Sequence, residues 1–348
     1  MSTERATELS TESSTGLSTG LSTGLPSGGD TATLPEERSD WGRLRERARR
    51  HVEWVRRDGL ARLIEEDGLD PRERIGSFVR ARRWRRDHAV EPGTARAAFV
   101  VGVQRSGTNM VVRGIEHDPA VEVHNENDRR AFTRFQLRGD DVTRELVGTS
   151  RHELVLFKPL CDSHRIGDLL DGLRAGGTDA RAVWVYRGVD GRARSAVQKF
   201  GDVNRRVLSD IAAGRAGDRW QAQRLSEASL DLIRSVEPER LDPHSAAALF
   251  WLVRNRLFFE QGLTERSDVH LVGYERVVAA PEPEVRVLAG FLGVAYTPEL
   301  HAHIDARAAR VSPLDLDPRV RAACTELEAA LGEAAERSLR RHNPEEGR

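Results

Sequence analysis

Two kinds of hydrophobic spacing succeed one another along the chain. Behind Ser39 or Asp40 as an N-cap, Trp41, Leu44, Val52, Val55, Leu60 and Leu63 recur at near-helical intervals, which predicts a helical N-terminal segment running to about Val90. After Pro92-Gly93 short β-branched runs take over. Strands are expected at residues 98–103, around 121–123, and at 153–157, 182–186 and 269–272. Helices are expected to begin near Thr108, Ser163, Gly191 and Asp242, the last with Asp242 as N-cap, Pro243 at N1 and an end at Gly262. Apolar strands alternating with helices predict an α/β fold: a three-layer parallel sheet flanked by helices.

Ahead of that pattern, residues 1–36 contain the repeat STGLSTGLSTGL and then Pro26, Gly28 and Gly29. So little apolar surface predicts a disordered low-complexity tail. The expected organisation is therefore a tail at 1–36, a helical segment at 37–93 and a catalytic α/β domain at 94–345.

With 54 Lys+Arg against 55 Asp+Glu the net charge is -1, so no global field recruits nucleic acid or an anionic membrane. The basic run RARRWRRDH, Arg80 to His88, reads as a solvated helix face ahead of an anion- or RNA-contacting patch. Cys161 and Cys324 are too few for a disulfide framework and point to a reducing, cytoplasmic setting. No secretory leader pattern and no 18-residue apolar stretch is present, which predicts a soluble protein. Basic residues are almost all arginine, a bias of bacterial-like genomic composition; Lys158 and Lys199 are the only lysines.

Candidate chemistry begins at AFVVGVQRSGTNMVV. A strand breaks at Gly102, and Gly107 follows at the G-x4-G spacing of a phosphate-binding loop. Strand, turn and helix N-terminus would direct amides at one point, with Ser106, Thr108 and Asn109 adding side-chain donors. No lysine follows Gly107; the cation is Arg105, two residues before it. That lack argues against a magnesium-bound triphosphate and for a less charged ligand.

RAVWVYRGVDGRARSAVQKF repeats the strand-to-helix turn, with Arg187 at the strand end, Ser195 eight residues on and Lys199 one helical turn later. Arginine, serine and lysine at a sheet's carboxyl edge make a second anion cradle.

On these residues the chain resembles the sulfotransferases that use 3′-phosphoadenosine 5′-phosphosulfate (PAPS). QRSGT is similar to their 5′-phosphosulfate loop and Arg187-x7-Ser195 to their 3′-phosphate motif. Val272 to Leu300 is similar to their Tyr-Glu segment, the helix after it and Phe-Leu-Gly. The three matches stand in the family's order over roughly residues 96–315. The tyrosylprotein sulfotransferase branch is closest in pattern, aligning without a gap on Arg105 to Asn127. The chain departs from that pattern at Asn109 and Gly188, and in lacking the branch's membrane anchor and lumenal cysteines.

The resemblance implies a P-loop-like fold and roles for named residues. Arg105 and Glu126 take the catalytic arginine and base, and Lys158 the lysine of the transition state. Arg187, Ser195, Lys199 and Tyr274 take the nucleotide contacts, with Ser106 to Asn109 on the 5′-phosphate. His164 is the runner-up base and His124 the third. Arg307, Arg310 and Ser312 lie where the family closes over the nucleotide. CDSH, Cys161 to His164, has no second ligand pair, so no metal is expected. The acceptor expected is a small molecule or glycan, with a peptide compatible. An ATP-using kinase and a non-catalytic nucleotide-binding module are the competing readings. The Trp251-containing helix reads as core ahead of an acceptor wall.

Overall fold

Strand β1 (Arg96–Gly102) is buried from Ala97 onward. Its side chains alternate: Ala97, Phe99 and Val101 enter one core, Ala98 and Val100 the other. The structure, a computed structural model, describes residues 71–306 and 311–343. It continues with β2 (Val121–His124), a small antiparallel hairpin of β3 (Phe132–Thr133) and β4 (Gln136–Leu137), then β5 (Leu154–Phe157), β6 (Ala180–Tyr186) and β7 (Val269–Gly273). The main sheet runs in the order β2-β5-β1-β6-β7 with every pair parallel.

Helices cover both faces, which is why these strands read as apolar runs. The described helices are α1 (Pro71–His88), α2 (Thr108–Ile115), α3 (Asp140–Thr149), α4 (Ile166–Ala175) and α5 (Val189–Phe200). After them come α6 (Val203–Ala212), α7 (Glu227–Ser235), α8 (Pro243–Glu260), α9 (Tyr274–Ala279), α10 (Pro281–Leu292) and α11 (Pro318–His342). Val111, Val112 and Ile115 of α2 pack one face with Val285 and Leu288 of α10. Leu169 of α4, Ala193 and Ala196 of α5, Trp251 of α8 and Leu331 of α11 pack the other.

All five predicted strands are present to within two residues, and the α/β class with a helix-flanked parallel sheet holds. Residues Leu160–Arg165 form a 3-10 turn, so α4 begins at Ile166, three residues later than predicted. Asp242 caps α8 by accepting from the amides of His244 (2.8 Å) and Ser245 (3.1 Å), while the helix ends at Glu260 and Gly262 turns left-handed at φ 66°. The hairpin and the 25-residue α11 were not foreseen.

The predicted tail, most of the N-terminal helical segment, and Arg307 and Arg310 lie outside the described residues. Within α1, Trp84 is half-buried and stacks on both His88 and His152 with centroids 5.8 Å apart, while Arg82, Arg83, Arg85 and Arg86 are exposed. Among the described residues no helix is long and apolar enough to cross a membrane.

Candidate functional site

The chain leaves β1 toward β2, at one edge of the sheet, and leaves β6 toward β7, at the other. The loops after β1 and β6 therefore part at a switch point, where open α/β sheets form a ligand crevice. The strands run in register there, Gly102 beside Val185. Only glycine fits at 102: φ is 141°, and a Cβ would lie 2.2 Å from the Val185 carbonyl oxygen.

Beyond Gly102 the turn holds Arg105 left-handed at φ 73°, and its Nε donates to Ser195 Oγ at 3.0 Å. The two loops singled out in the sequence thus meet through the side chains of Arg105 and Ser195, 90 residues apart. Gly107, at φ 98°, precedes α2, whose first N–H groups have no intrahelical acceptor. A Cβ on Gly107 would stand 2.5 Å from Cδ2 of Tyr274, the residue that opens α9, and the Arg187 guanidinium lies over that ring at 4.5 Å from its centroid. Of the three side chains expected to add donors, Asn109 is exposed while Ser106 and Thr108 are buried. Ser106 is 0% exposed and its Oγ has no hydrogen-bond partner.

Arg187 closes β6. Its carbonyl accepts from Trp251 Nε1 at 2.8 Å, so Trp251 is a core residue whose single polar atom fixes this loop. The next amide, Gly188 N–H, donates to Glu275 Oε1 at 3.1 Å. A side chain at 188 would begin 2.9 Å from Glu328 Oε1, which accounts for the glycine after Arg187. Burial raises the Glu275 and Glu328 carboxyls, and Glu275 raises Glu328 further. Ser195 and Lys199 follow on α5, one turn apart and both half-buried. Ser312 lies alongside: its carbonyl accepts from Arg194 Nη2 at 3.0 Å, and Leu314 N–H donates to Asp190 at 2.8 Å.

Sheet register also assembles the second group. His124 pairs with Phe157 across β2 and β5, and Lys158 N–H donates to the His124 carbonyl at 3.1 Å. Glu126, two residues past one strand, therefore meets Lys158, one residue past the other, at 3.1 Å. Lys158 Nζ also donates to Asn109 Oδ1 at 2.6 Å, tying the pair to the first loop. Burial pushes the Glu126 carboxyl up; Lys158 opposes the rise and Asp162 adds to it.

His164 is buried in the 3-10 turn, its Nδ1 without a hydrogen bond. Burial, then Arg254, Arg165 and Arg224, pull its pKa down to about 4. His124 is fully buried, bonded to Asp128 at 2.8 Å and stacked on Phe157. Among the described residues no three His, Cys, Asp or Glu side chains cluster to hold a metal ion.

Arg192 and Trp251 were not placed at the site from sequence, and Glu275 entered only within the Tyr-Glu segment, without a role. For Arg192 the available signal was its spacing: three residues before Ser195, it shares a helical face with it.

No protein-family model matches the chain, and no curated protein does. Among solved structures it is similar to a sulfotransferase from Alicyclobacillus acidocaldarius, at 17% identity and a TM-score of 0.40 over 72% of this chain and 96% of that one. It is similar to the sulfotransferase domain from the curacin biosynthetic pathway, at 14% identity and a TM-score of 0.40 over 67% of this chain and 98% of that one. It is also similar to the sulfotransferase domain of the Synechococcus PCC 7002 olefin synthase, at 14% identity and a TM-score of 0.38 over 69% and 98% of the two chains.

Proposed function

We propose that the protein moves a sulfuryl group from PAPS to a hydroxyl, or an amine, of a small-molecule or glycan acceptor, a peptide hydroxyl offering the same chemistry. The observation that carries this reading is the 3.0 Å bond from Arg105 to Ser195. It joins the lysine-less loop to the separate arginine-serine turn, an adjacency that a ligand with phosphate at both ends of a nucleoside would require. The tyrosylprotein likeness, carried by Arg105 to Asn127, contributes the choice of Glu126 as base.

In this mechanism the amides of Ser106 to Asn109 hold the 5′-phosphate, and Arg187, Ser195 and Lys199 hold the 3′-phosphate, with Tyr274 packed between the loops. The acceptor oxygen attacks sulfur in line with the bridging oxygen. The new O–S bond forms as the S–O bond to the phosphate breaks, and adenosine 3′,5′-bisphosphate leaves. Arg105 and Lys158 offset the charge gathering on the sulfuryl and leaving oxygens. Glu126 takes the acceptor proton, for which its raised pKa suits it, while Lys158 beside it favours the carboxylate form that accepts that proton.

Calorimetry with adenosine 3′,5′-bisphosphate tests the reading. Tight binding without added metal, lost in Arg187→Ala, is expected, together with sulfate transfer to an acceptor pool. Preference for ATP with magnesium would sink it in favour of a kinase. Binding without transfer to any acceptor would reduce it to a nucleotide-binding module.

A further inference from the structure

Arg192 lies in the first half of α5, 1% exposed. Its guanidinium reaches no carboxylate among the described residues: Nε donates to the Gln104 carbonyl at 3.1 Å and Nη1 to the Ala247 carbonyl of α8 at 2.7 Å. Its central carbon stands 5.4 Å from the Phe250 ring centroid. Burial, and then the like charge of Arg105, depress its pKa to about 9. A buried cation with only neutral acceptors is costly, and a fold keeps one where an anion arrives or where its geometry is needed. Here both hold. Gln104 immediately precedes Arg105, the residue in the left-handed conformation, and Ala247 is on the wholly buried part of α8.

We propose that Arg192 is a positioning residue for the first phosphate loop: by bridging Gln104 to α8 it holds Arg105 turned toward Ser195, and its charge stands behind the loop for a bound anion to offset. This rests on the proposed nucleotide reading, in which that loop takes the 5′-phosphate while Arg187 and Ser195 take the 3′-phosphate. The effect is therefore directional. Losing Arg192 weakens the grip on the 5′ end and leaves the 3′ end alone.

The test measures, by calorimetry on the full chain, the affinities for adenosine 3′,5′-bisphosphate and adenosine 3′-monophosphate in wild type, Arg192→Met and Arg192→Lys. Wild type should prefer the bisphosphate. Arg192→Met should lower that preference about tenfold, the scale of one charge-assisted contact, with 3′-monophosphate affinity unchanged. Arg192→Lys keeps the charge but can serve only one of the two carbonyls, so about threefold is expected, and it decides the matter if the methionine variant does not fold. Unchanged preference in the folded variants, or equal loss for both nucleotides as from general damage, overturns the role of Arg192 alone. A wild-type protein indifferent to the 5′-phosphate overturns the nucleotide reading with it.

Discussion

Replacing Gly107 by alanine isolates the contact that joins the first loop to the start of α9. The new methyl would sit 2.5 Å from Tyr274 Cδ2 and 3.2 Å from Cε2, well inside the roughly 3.5–4.0 Å at which carbon atoms attract. The backbone at φ 98° is also outside the region an L-residue occupies comfortably, worth about 1–2 kcal/mol. Overpacking against the ring adds about 1–3 kcal/mol, toward the lower end because Tyr274 is only half-buried and can yield. A total near 3 kcal/mol lowers Tm by about 6–12 °C at the roughly 2–4 °C per kcal/mol of domains of this order of size. Because the displaced ring carries the Arg187 guanidinium, adenosine bisphosphate should bind more weakly as well. Calorimetric melts of Gly107→Ala in wild-type and Tyr274→Ala backgrounds check the reasoning. Without the ring only the backbone part, about 1–2 kcal/mol, should remain. A cost below about 0.5 kcal/mol, or an equal cost in both backgrounds, refutes the geometry.

Three further outcomes are expected. Gly172→Ala, on an exposed turn of α4 with nothing within 4 Å of the new methyl, should stabilise by about 0.5–1 kcal/mol in urea melts; a loss of stability would contradict the helix there. Glu126→Gln should cut turnover by about 10²–10⁴ while sparing bisphosphate affinity. Since burial raises this carboxyl above its ordinary 4.5, the base form appears only at higher pH, so the wild-type rate should fall on the acid side at a pH above that value, and the fall should vanish in the variant. His164, held near 4 against an ordinary 6.5, favours the neutral ring in the folded state. Its contribution is complete above 6.5 and lost as pH drops through about 4, so His164→Gln should flatten that part of the stability profile, and an unchanged slope would deny the burial of its ring.

The strands were legible because a strand buried on both faces must be apolar at every position, and Ala98 to Val103 or Ala182 to Tyr186 can be little else. The Asp242-Pro243 helix start was legible because capping chemistry is local. Hidden from the sequence was everything that depends on which strand lies beside which. Glu126 and Lys158 are 32 residues apart and meet only because β2 and β5 are neighbours in one register. Arg105 and Ser195 meet only because β1 adjoins β6. The tight turn at Phe132 to Leu137 escaped because its two turn residues, Arg134 at φ 50° and Phe135 at φ 68°, carry none of the glycine or asparagine that marks such turns. The alanine-rich α11 was passed over because its apolar face, with Val320, Cys324, Leu327 and Leu331, is diluted by charge on the rest of the helix.

Sheet order also accounts for the cations that gather around a loop without a lysine of its own. The position after Gly107 is Thr108, which is buried, and Tyr274 fills the space above the glycine, so no long side chain can rise from that point. Beyond Arg105 within the loop, positive charge comes from neighbouring elements. Lys158 reaches the loop from the end of β5 through Asn109, Arg187 comes from the end of β6, and Arg192 backs the loop from α5. Each of these cations sits on a different element, so positive charge surrounds the loop from several directions. On the proposed reading, such a spread suits a nucleotide whose charge is divided between two ends better than one whose charge is concentrated in a single chain of phosphates.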